Sequence, residues 1–128
     1  FEKSSDPTSS VRLSVSRDYV LFLNDIEEAC QKIVEFSQEL TFEDFAKQDM
    51  PYYSLVRLLE VIGEAVKNIP EDVRDRYPAV QWTQIARARD LMAHHYFGLE
   101  DETLWEMIQV HVPELLRLIR PIIDRESR

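Results

Sequence analysis

The stretch DYVLFLNDIEEACQKIVEF, residues 18–36, decides the fold. Its apolar residues recur at steps of three and four, the spacing that places side chains on one face of an α-helix. The pattern predicts a long amphipathic helix that is capped by Ser16 or Asp18 and runs to about Leu40. The residues expected on its apolar face are Tyr19, Phe22, Leu23, Ile26, Cys30, Ile33 and Phe36.

Two further helices are predicted immediately downstream. TFEDF begins at Thr41, and Asp44 three residues later makes a variant of the capping box that starts a short helix. The tripeptide DMP, residues 49–51, is expected to end it. The next helix is predicted from about Tyr52 to Asn68, and the small Gly63 within it would let another backbone pack closely.

The second half of the chain is also helical by pattern. Prolines 70 and 78 bracket a short turn or helical piece, and a helix from about Gln81 or Trp82 to Tyr96 follows, stopped by Gly98. A last helix is predicted after a cap at Asp101, with a kink or break at Pro113.

The result is an all-α fold, an antiparallel up-and-down bundle of four to five helices. The sequence contains no internal repeat and no strand-like alternation of useful length. We expect one domain over residues 16–128. Residues 1–15 are polar and are interpreted as a flexible arm, a processed end or residues added for expression.

Composition narrows the class of protein. The chain has 128 residues, 45% hydrophobic and 30% charged, which is typical of one soluble globular domain, and no apolar run is long enough to span a bilayer. A net charge of −9 argues against tight nonspecific binding of nucleic acid but leaves room for a small basic site. The single cysteine, Cys30, permits no internal disulfide, favours a reducing cytoplasm and is expected to be a buried, inert thiol.

The stretch RDLMAHHYFGLE, residues 89–100, concentrates chemically active side chains near the end of one helix. Asp90 and His94 are four residues apart and can pair on one face, and Arg89 and Tyr96 are seven apart and share a neighbouring face. This set suits RNA cleavage without a metal. A histidine can move the proton of the 2′-hydroxyl or of the leaving 5′-oxygen, and a guanidinium can hold the charged phosphate.

The same residues also have ordinary structural interpretations. Asp90 and His94 can form a surface pair, Arg89 can be a solvated residue or an ion-pair partner at the core edge, and Tyr96 can be a core aromatic. A metal site at the two adjacent histidines is disfavoured because neighbouring residues point about 100° apart on a helix. His111, in the last helix, is expected to be structural.

These segments resemble, in order, the HepT-like proteins of the HEPN superfamily (higher eukaryote and prokaryote nucleotide-binding domains). RDLMAHHYFGLEDETLW resembles the R-x4-H-x-Y motif of that family and the residues that follow it. DYVLFLNDIEEACQKI resembles its first helix, TFEDFAKQD its short second element, RLLEVIGEAVKNIP its third helix and VPELLRLI its closing helix. The resemblance covers roughly residues 17–123, and it implies the same all-α bundle.

The resemblance also implies an activity and partners. Members of the family are toxins of prokaryotic type VII toxin–antitoxin pairs and are metal-independent endoribonucleases, with tRNA among their substrates. They are homodimers in which two motif helices meet at the dyad. The antitoxin is a minimal nucleotidyltransferase that transfers AMP from ATP to the motif tyrosine. The resemblance implies no cofactor and no metal.

Carried over to this chain, the motif assigns a role to each matching residue. Arg89 would stabilise the scissile phosphate, His94 would be the general acid or base, and Tyr96 would be AMPylated and would line the RNA groove. Asp90 occupies a position that is often Asn in the family. Its carboxylate would repel RNA phosphate unless Arg89 or His94 neutralises it.

Two other functions remain open on the sequence alone. The chain can be a HEPN-type binding module that pairs with a nucleotidyltransferase without cleaving RNA, or a plain helical interaction protein in which the cluster only packs. A nuclease needs Arg89 and His94 exposed together, whereas a scaffold can leave them paired or buried.

Overall fold

The computed structural model describes residues 18–93 and 100–128, and these residues form helices joined by short connections, without a strand. The predicted all-α bundle is confirmed. In chain order the elements are α1 (Tyr19–Ser37), α2 (Phe42–Lys47), α3 (Asp49–Lys67), α4 (Glu71–Arg76), α5 (Trp82–Ala93), α6 (Asp101–Glu106), a π-helical turn (Met107–His111) and α7 (Val112–Glu126).

Helix α1 is central because it packs on both α3 and α7. Most of its predicted stripe is buried, and Leu23, Ile26, Cys30 and Ile33 are fully inaccessible to solvent. Phe36 was expected on the same stripe but is 45% exposed. The helix ends at Ser37 instead of continuing to about Leu40. Phe36, in the last turn of α1, therefore lies outside the core.

The single cysteine behaves as expected from its place on this stripe. Cys30 is buried, and burial raises the pKa of its thiol to about 12, with a smaller contribution from the carboxylate of Glu27. Because the thiolate is the reactive form, this shift keeps Cys30 unreactive at neutral pH.

The start of α2 confirms the predicted capping box. The Asp44 amide donates to Thr41 Oγ1 at 3.1 Å, and the Thr41 amide donates to Asp44 Oδ2 at 3.0 Å. Thr41 is extended, with φ −95° and ψ 168°, so it separates α2 from the preceding helix. These two bonds satisfy donors that a helix N-terminus otherwise leaves without a partner.

The predicted role of residues 49–51 in ending α2 is wrong. Helix α2 ends at Lys47, and α3 begins at Asp49, so Pro51 lies in the first turn of α3 and is buried. A proline is compatible with that position because the first amides of a helix have no intrahelical partner. Helix α3 therefore begins three residues before the predicted Tyr52.

The last helical stretch is interrupted near Pro113, as the sequence predicted. Helix α6 is followed by the π-helical turn, and Pro113 is the second residue of α7. An i→i+5 turn placed there accommodates the missing amide of the proline without ending the helical run. Asp101 lies in the first turn of α6 and is not its cap, because Glu100 occupies that position.

One carboxylate ties the ends of the bundle together. Glu126, at the end of α7, accepts hydrogen bonds from the Tyr19 hydroxyl at 2.5 Å, from Arg76 Nη2 at 2.9 Å and from the Tyr77 hydroxyl. Its side chain is only 10% exposed. Burial alone raises the pKa of Glu126, but the bonds from Arg76, Tyr19 and Tyr77 outweigh burial and lower that pKa below its ordinary value of 4.5.

We expect Glu126→Gln to lower the free energy of unfolding at neutral pH by about 1–3 kcal/mol, because a charged acceptor of three donors is lost. A lowered folded-state pKa stabilises the fold above the unfolded-state pKa, and this contribution is lost as the pH falls through the folded-state pKa. The difference between wild type and variant should therefore shrink below about pH 4.5. Urea titrations at several pH values measure it.

Glu28→Gln is the matched control, since the Glu28 carboxylate is exposed and lies 3.9 Å from Lys32 within the same helix. It should change stability by less than about 0.5 kcal/mol. Equal effects of the two substitutions would contradict the role given to Glu126.

Candidate functional site

The helix that carries the motif is anchored at its first residue. Trp82 begins α5, is buried, and donates from Nε1 to the Tyr77 carbonyl oxygen at 3.0 Å. The Ile85 amide donates to the Gln81 carbonyl at 3.1 Å and closes the first turn. The connection from α4 therefore fixes where α5 starts on the bundle.

The position of Arg89 is set by a very close contact with α3. A Cβ atom built on Gly63 would lie 2.2 Å from Arg89 Cβ and 2.6 Å from its Cγ. Side-chain carbons do not approach so closely, so only glycine permits this separation of the two helices. The expectation that another backbone packs closely at Gly63 is confirmed.

Arg89 lies at the edge of the core and pairs with a carboxylate of α3. Its Nε is 3.2 Å from Glu64 Oε2, and its side chain is 30% exposed. Nε is itself buried and donates no hydrogen bond to any described residue. The distance alone makes this an ion pair, so we attribute the contact to charge attraction and not to an oriented hydrogen bond. The guanidinium is thus held in place without being sealed off from solvent.

Asp90 pairs with Lys67 of α3, a partner that the motif itself does not name. Lys67 Nζ donates to Asp90 Oδ1, and the two side chains are 38% and 51% exposed. The sequence offered Arg89 or His94 as the group that would neutralise this carboxylate. Arg89 pairs with Glu64 instead, and His94 lies outside the described residues. A signal was present, because Lys67 is one turn beyond Gly63 and therefore shares the face of α3 that meets α5.

These two ion pairs contribute little to folding. Exposed or half-exposed pairs are typically worth about 0–1 kcal/mol, because water screens them and the side chains lose freedom. Their main physical effect is on local charge. Two cations, Arg89 and Lys67, stand beside two carboxylates, Glu64 and Asp90, on a chain whose net charge is −9.

An apolar groove of about 380 Å³ runs along another face of α5. Ile85, Ala88 and Met92 form one wall from α5, and Leu115 and Leu118 of α7 form part of the opposite wall. His111 lies at this groove in the π-helical turn and is exposed, so it is not a core residue. The helix therefore presents an apolar surface on one side and its charged residues on another.

The described ranges, 18–93 and 100–128, contain no group of three or more His, Cys, Asp or Glu side chains placed to hold a metal ion. No helix in them combines the length and the apolar character needed to cross a membrane.

Residues 26–122 of the chain match the family model described as ribonuclease HepT-like. The chain belongs to the HepT-like family. This match covers α5, both ion pairs and most of α1 and α7. The resemblance read from the motif and its flanking helices is thereby confirmed.

Three relatives illustrate the similarity. A Methanocaldococcus jannaschii protein named "Putative RNase" is 43% identical over 107 residues, which cover 84% of this chain and 88% of the relative. The "Probable ribonuclease HepT" of Thermococcus cleftensis is 40% identical over 101 residues, covering 79% and 92%. A protein of Caldanaerobacter subterraneus, also named "Putative RNase", is 38% identical over 106 residues, which cover 83% of this chain and 95% of the relative. No solved structure matches the chain significantly.

The HepT-like motif is only partly within the described residues. Arg89 and Asp90 are described and adjacent on α5, whereas His94, His95 and Tyr96 lie outside the described residues. The chain continues at Glu100 into α6, where Trp105 packs on the fully buried Phe45 with ring centroids 5.3 Å apart. The segment that carries His94 and Tyr96 is therefore bounded by two anchored helices.

We expect Gly63→Ala to destabilise this HepT-like chain by about 1 kcal/mol. Overpacking costs about 1–3 kcal/mol, and the better helix propensity of alanine returns at most about 1 kcal/mol. Thermal and urea unfolding measure the change.

A double-mutant cycle with Arg89→Gly isolates the contact. Removing the Arg89 side chain makes room for the new methyl group, so the double variant should be more stable than the sum of the single changes predicts. Strict additivity, or a Gly63→Ala protein as stable as wild type, would show that the close approach does not set the helix spacing.

Proposed function

We propose that this chain is a metal-independent endoribonuclease of a type VII toxin–antitoxin pair, in which Arg89 binds the scissile phosphate and His94 is the general acid or base. Membership of the HepT-like family supports ribonuclease activity. The single observation that supports this site most directly is the position of Arg89, fixed against Gly63 on the motif helix and still 30% exposed.

In the proposed reaction the 2′-oxygen attacks the adjacent phosphorus. The 2′-oxygen–phosphorus bond forms and the 5′-oxygen–phosphorus bond breaks, leaving a 2′,3′-cyclic phosphate and a 5′-hydroxyl. The attacking hydroxyl loses a proton and the leaving oxygen gains one, and His94 supplies or accepts one of them. Arg89 stabilises the extra negative charge of the phosphorane-like transition state. Asp90 would support the site by orienting His94 and stabilising its charged form.

The proposed active unit is a homodimer with RNA bound between two motif helices. The apolar groove beside α5 supports this unit, because Ile85, Ala88 and Met92 form a half-buried apolar surface on the helix that would approach the dyad. A two-fold interface uses the same patch twice, so one such surface suffices. Two copies of Arg89 across one groove would concentrate positive potential on an acidic protein.

The proposed antitoxin is a minimal nucleotidyltransferase that silences the enzyme at Tyr96. The phenol oxygen attacks the α-phosphorus of ATP, an oxygen–phosphorus bond forms, pyrophosphate leaves and the phenol proton passes to solvent. The attached AMP adds bulk and a negative charge where RNA would bind. Both effects oppose binding of RNA.

A second function, a HEPN-type module that binds a nucleotidyltransferase without cleaving RNA, is favoured by one observation. The Arg89 guanidinium already contacts Glu64 at 3.2 Å. An RNA phosphate would have to displace that carboxylate from Arg89. A module that binds only a nucleotidyltransferase has no need for this displacement.

We expect purified wild-type protein to cleave total tRNA in the presence of EDTA and to leave 2′,3′-cyclic phosphate ends. His94→Ala should lower the rate by about 10²–10⁴-fold, as expected when a general acid or base is lost. Arg89→Ala should lower it by about 10²–10³-fold through lost charge stabilisation. Gel assays with end-group analysis measure these rates.

Arg120→Ala is the matched control, because Arg120 is another half-exposed arginine and pairs with Glu27 of α1, away from α5. It should cleave at the wild-type rate. Intact mass must first show that the protein carries no AMP. An unmodified wild-type protein that cuts neither tRNA nor messenger RNA would overturn the ribonuclease and leave the binding module.

We expect ATP and the cognate nucleotidyltransferase to add one AMP to the wild-type chain and to abolish cleavage. Tyr96→Phe should keep its activity under the same treatment, since the accepting oxygen is missing. Mass spectrometry and the tRNA assay follow both changes. A Tyr96→Phe protein that still loses its activity would show that the nucleotidyltransferase silences the enzyme at another residue.

A further inference from the structure

We propose that Lys67 is a positioning residue of the RNA site, and that its ammonium group offsets the Asp90 carboxylate so that a phosphate can approach Arg89. The inference rests on the proposed function and deepens it. It starts from the contact between Lys67 Nζ and Asp90 Oδ1, which joins the end of α3 to the motif helix.

The carboxylate and the guanidinium come from consecutive residues of α5, and both pair with side chains of α3. Asp90 follows Arg89 directly on α5, and consecutive Cα atoms are about 3.8 Å apart. The Debye length at physiological salt is about 8 Å, so a charge one residue away is only partly screened. Without compensation, Asp90 would repel the phosphate that Arg89 attracts.

The end of α3 increases the need for a cation. Lys67 is the last residue of α3, where the helix dipole places partial negative charge. A cation in this last turn interacts favourably with the helix end as well as with Asp90.

The local charge balance depends on this lysine. Arg89 and Lys67 contribute two positive charges, and Glu64 and Asp90 contribute two negative charges, so the two pairs sum to zero. Removing Lys67 leaves this set at −1 on a chain already at −9. Because both members of the pair are substantially exposed, its loss should affect RNA binding more than folding.

The test measures binding of a 2′-O-methyl RNA oligonucleotide of mixed sequence, which cannot be cleaved because its attacking hydroxyls are blocked. Fluorescence anisotropy over a series of salt concentrations compares wild type with Lys67→Met, Lys67→Arg, Asp90→Asn and the double variant Lys67→Met/Asp90→Asn. Lys32→Met is the matched control, since Lys32 is an exposed lysine paired with Glu28 on α1. Cleavage of total tRNA by wild type, Arg89→Ala and Lys67→Met runs in parallel.

We expect Lys67→Met to weaken binding about tenfold at low salt and to reduce the dependence of affinity on salt, because repulsion of the phosphate by Asp90 is strongest where screening is weakest. Lys67→Arg should retain binding, and Asp90→Asn should strengthen it. The double variant should recover to within about threefold of wild type, because the negative charge that Lys67 offsets is gone. Lys32→Met, with the same change in net charge, should change binding less than twofold.

Two results would overturn the inference. Wild-type binding by Lys67→Met would show that the lysine does not matter, and a loss that Asp90→Asn fails to restore would show that Lys67 does not act through Asp90. These outcomes are separate from failure of the proposed function. Cleavage abolished by Arg89→Ala but unchanged by Lys67→Met keeps the ribonuclease and removes the inference. If the variants show the expected binding pattern but wild type does not cleave RNA, the role of Lys67 in RNA binding is kept and the ribonuclease is removed.

Discussion

The close approach of α3 and α5 at Gly63 is the constraint on which the site depends. A Cβ at Gly63 would lie 2.2 Å from that of Arg89, so the missing side chain sets how near the two helices come. The same approach brings Glu64 to 3.2 Å from Arg89 and Lys67 onto Asp90. One glycine therefore determines both the placement of the motif arginine and its charged neighbours.

Around this contact, the rest of the fold anchors the start of the motif helix and the helix α6 that follows it in the chain. Trp82 ties the start of α5 to Tyr77, and Tyr77 in turn donates to Glu126 at the end of α7. Beyond the motif, Trp105 of α6 packs on Phe45 of α2. These contacts are buried or nearly so, and packed aromatic rings and charge-assisted hydrogen bonds are among the stronger local restraints in proteins. The site is thus supported by elements distant in sequence.

The charge distribution is compatible with the proposed RNA site on an acidic HepT-like protein. A net charge of −9 opposes nonspecific RNA binding, yet the face where α3 meets α5 alternates cations and carboxylates and is locally balanced. An acidic chain does not attract RNA over long distances. In the proposed function, RNA therefore binds at this site because its charges are locally balanced and because two motif helices come together there. In this proposal, Glu64 is the partner that Arg89 releases when phosphate binds.

The sequence alone determined the helical class, the capping box at Thr41, the burial of Cys30, the interruption near Pro113 and the family. Each depends on spacing or on residue chemistry within a few positions. The end of α1, the start of α3 at Asp49 and the exposure of Phe36 were missed, because neighbouring elements decide which turns are buried. The motif named Arg89 and Asp90, but only the tertiary structure brought Glu64 and Lys67 to them. Gly63 indicated a close helix contact, but ion pairs between helices also depend on which helix approaches and in what register, and only tertiary packing fixes those.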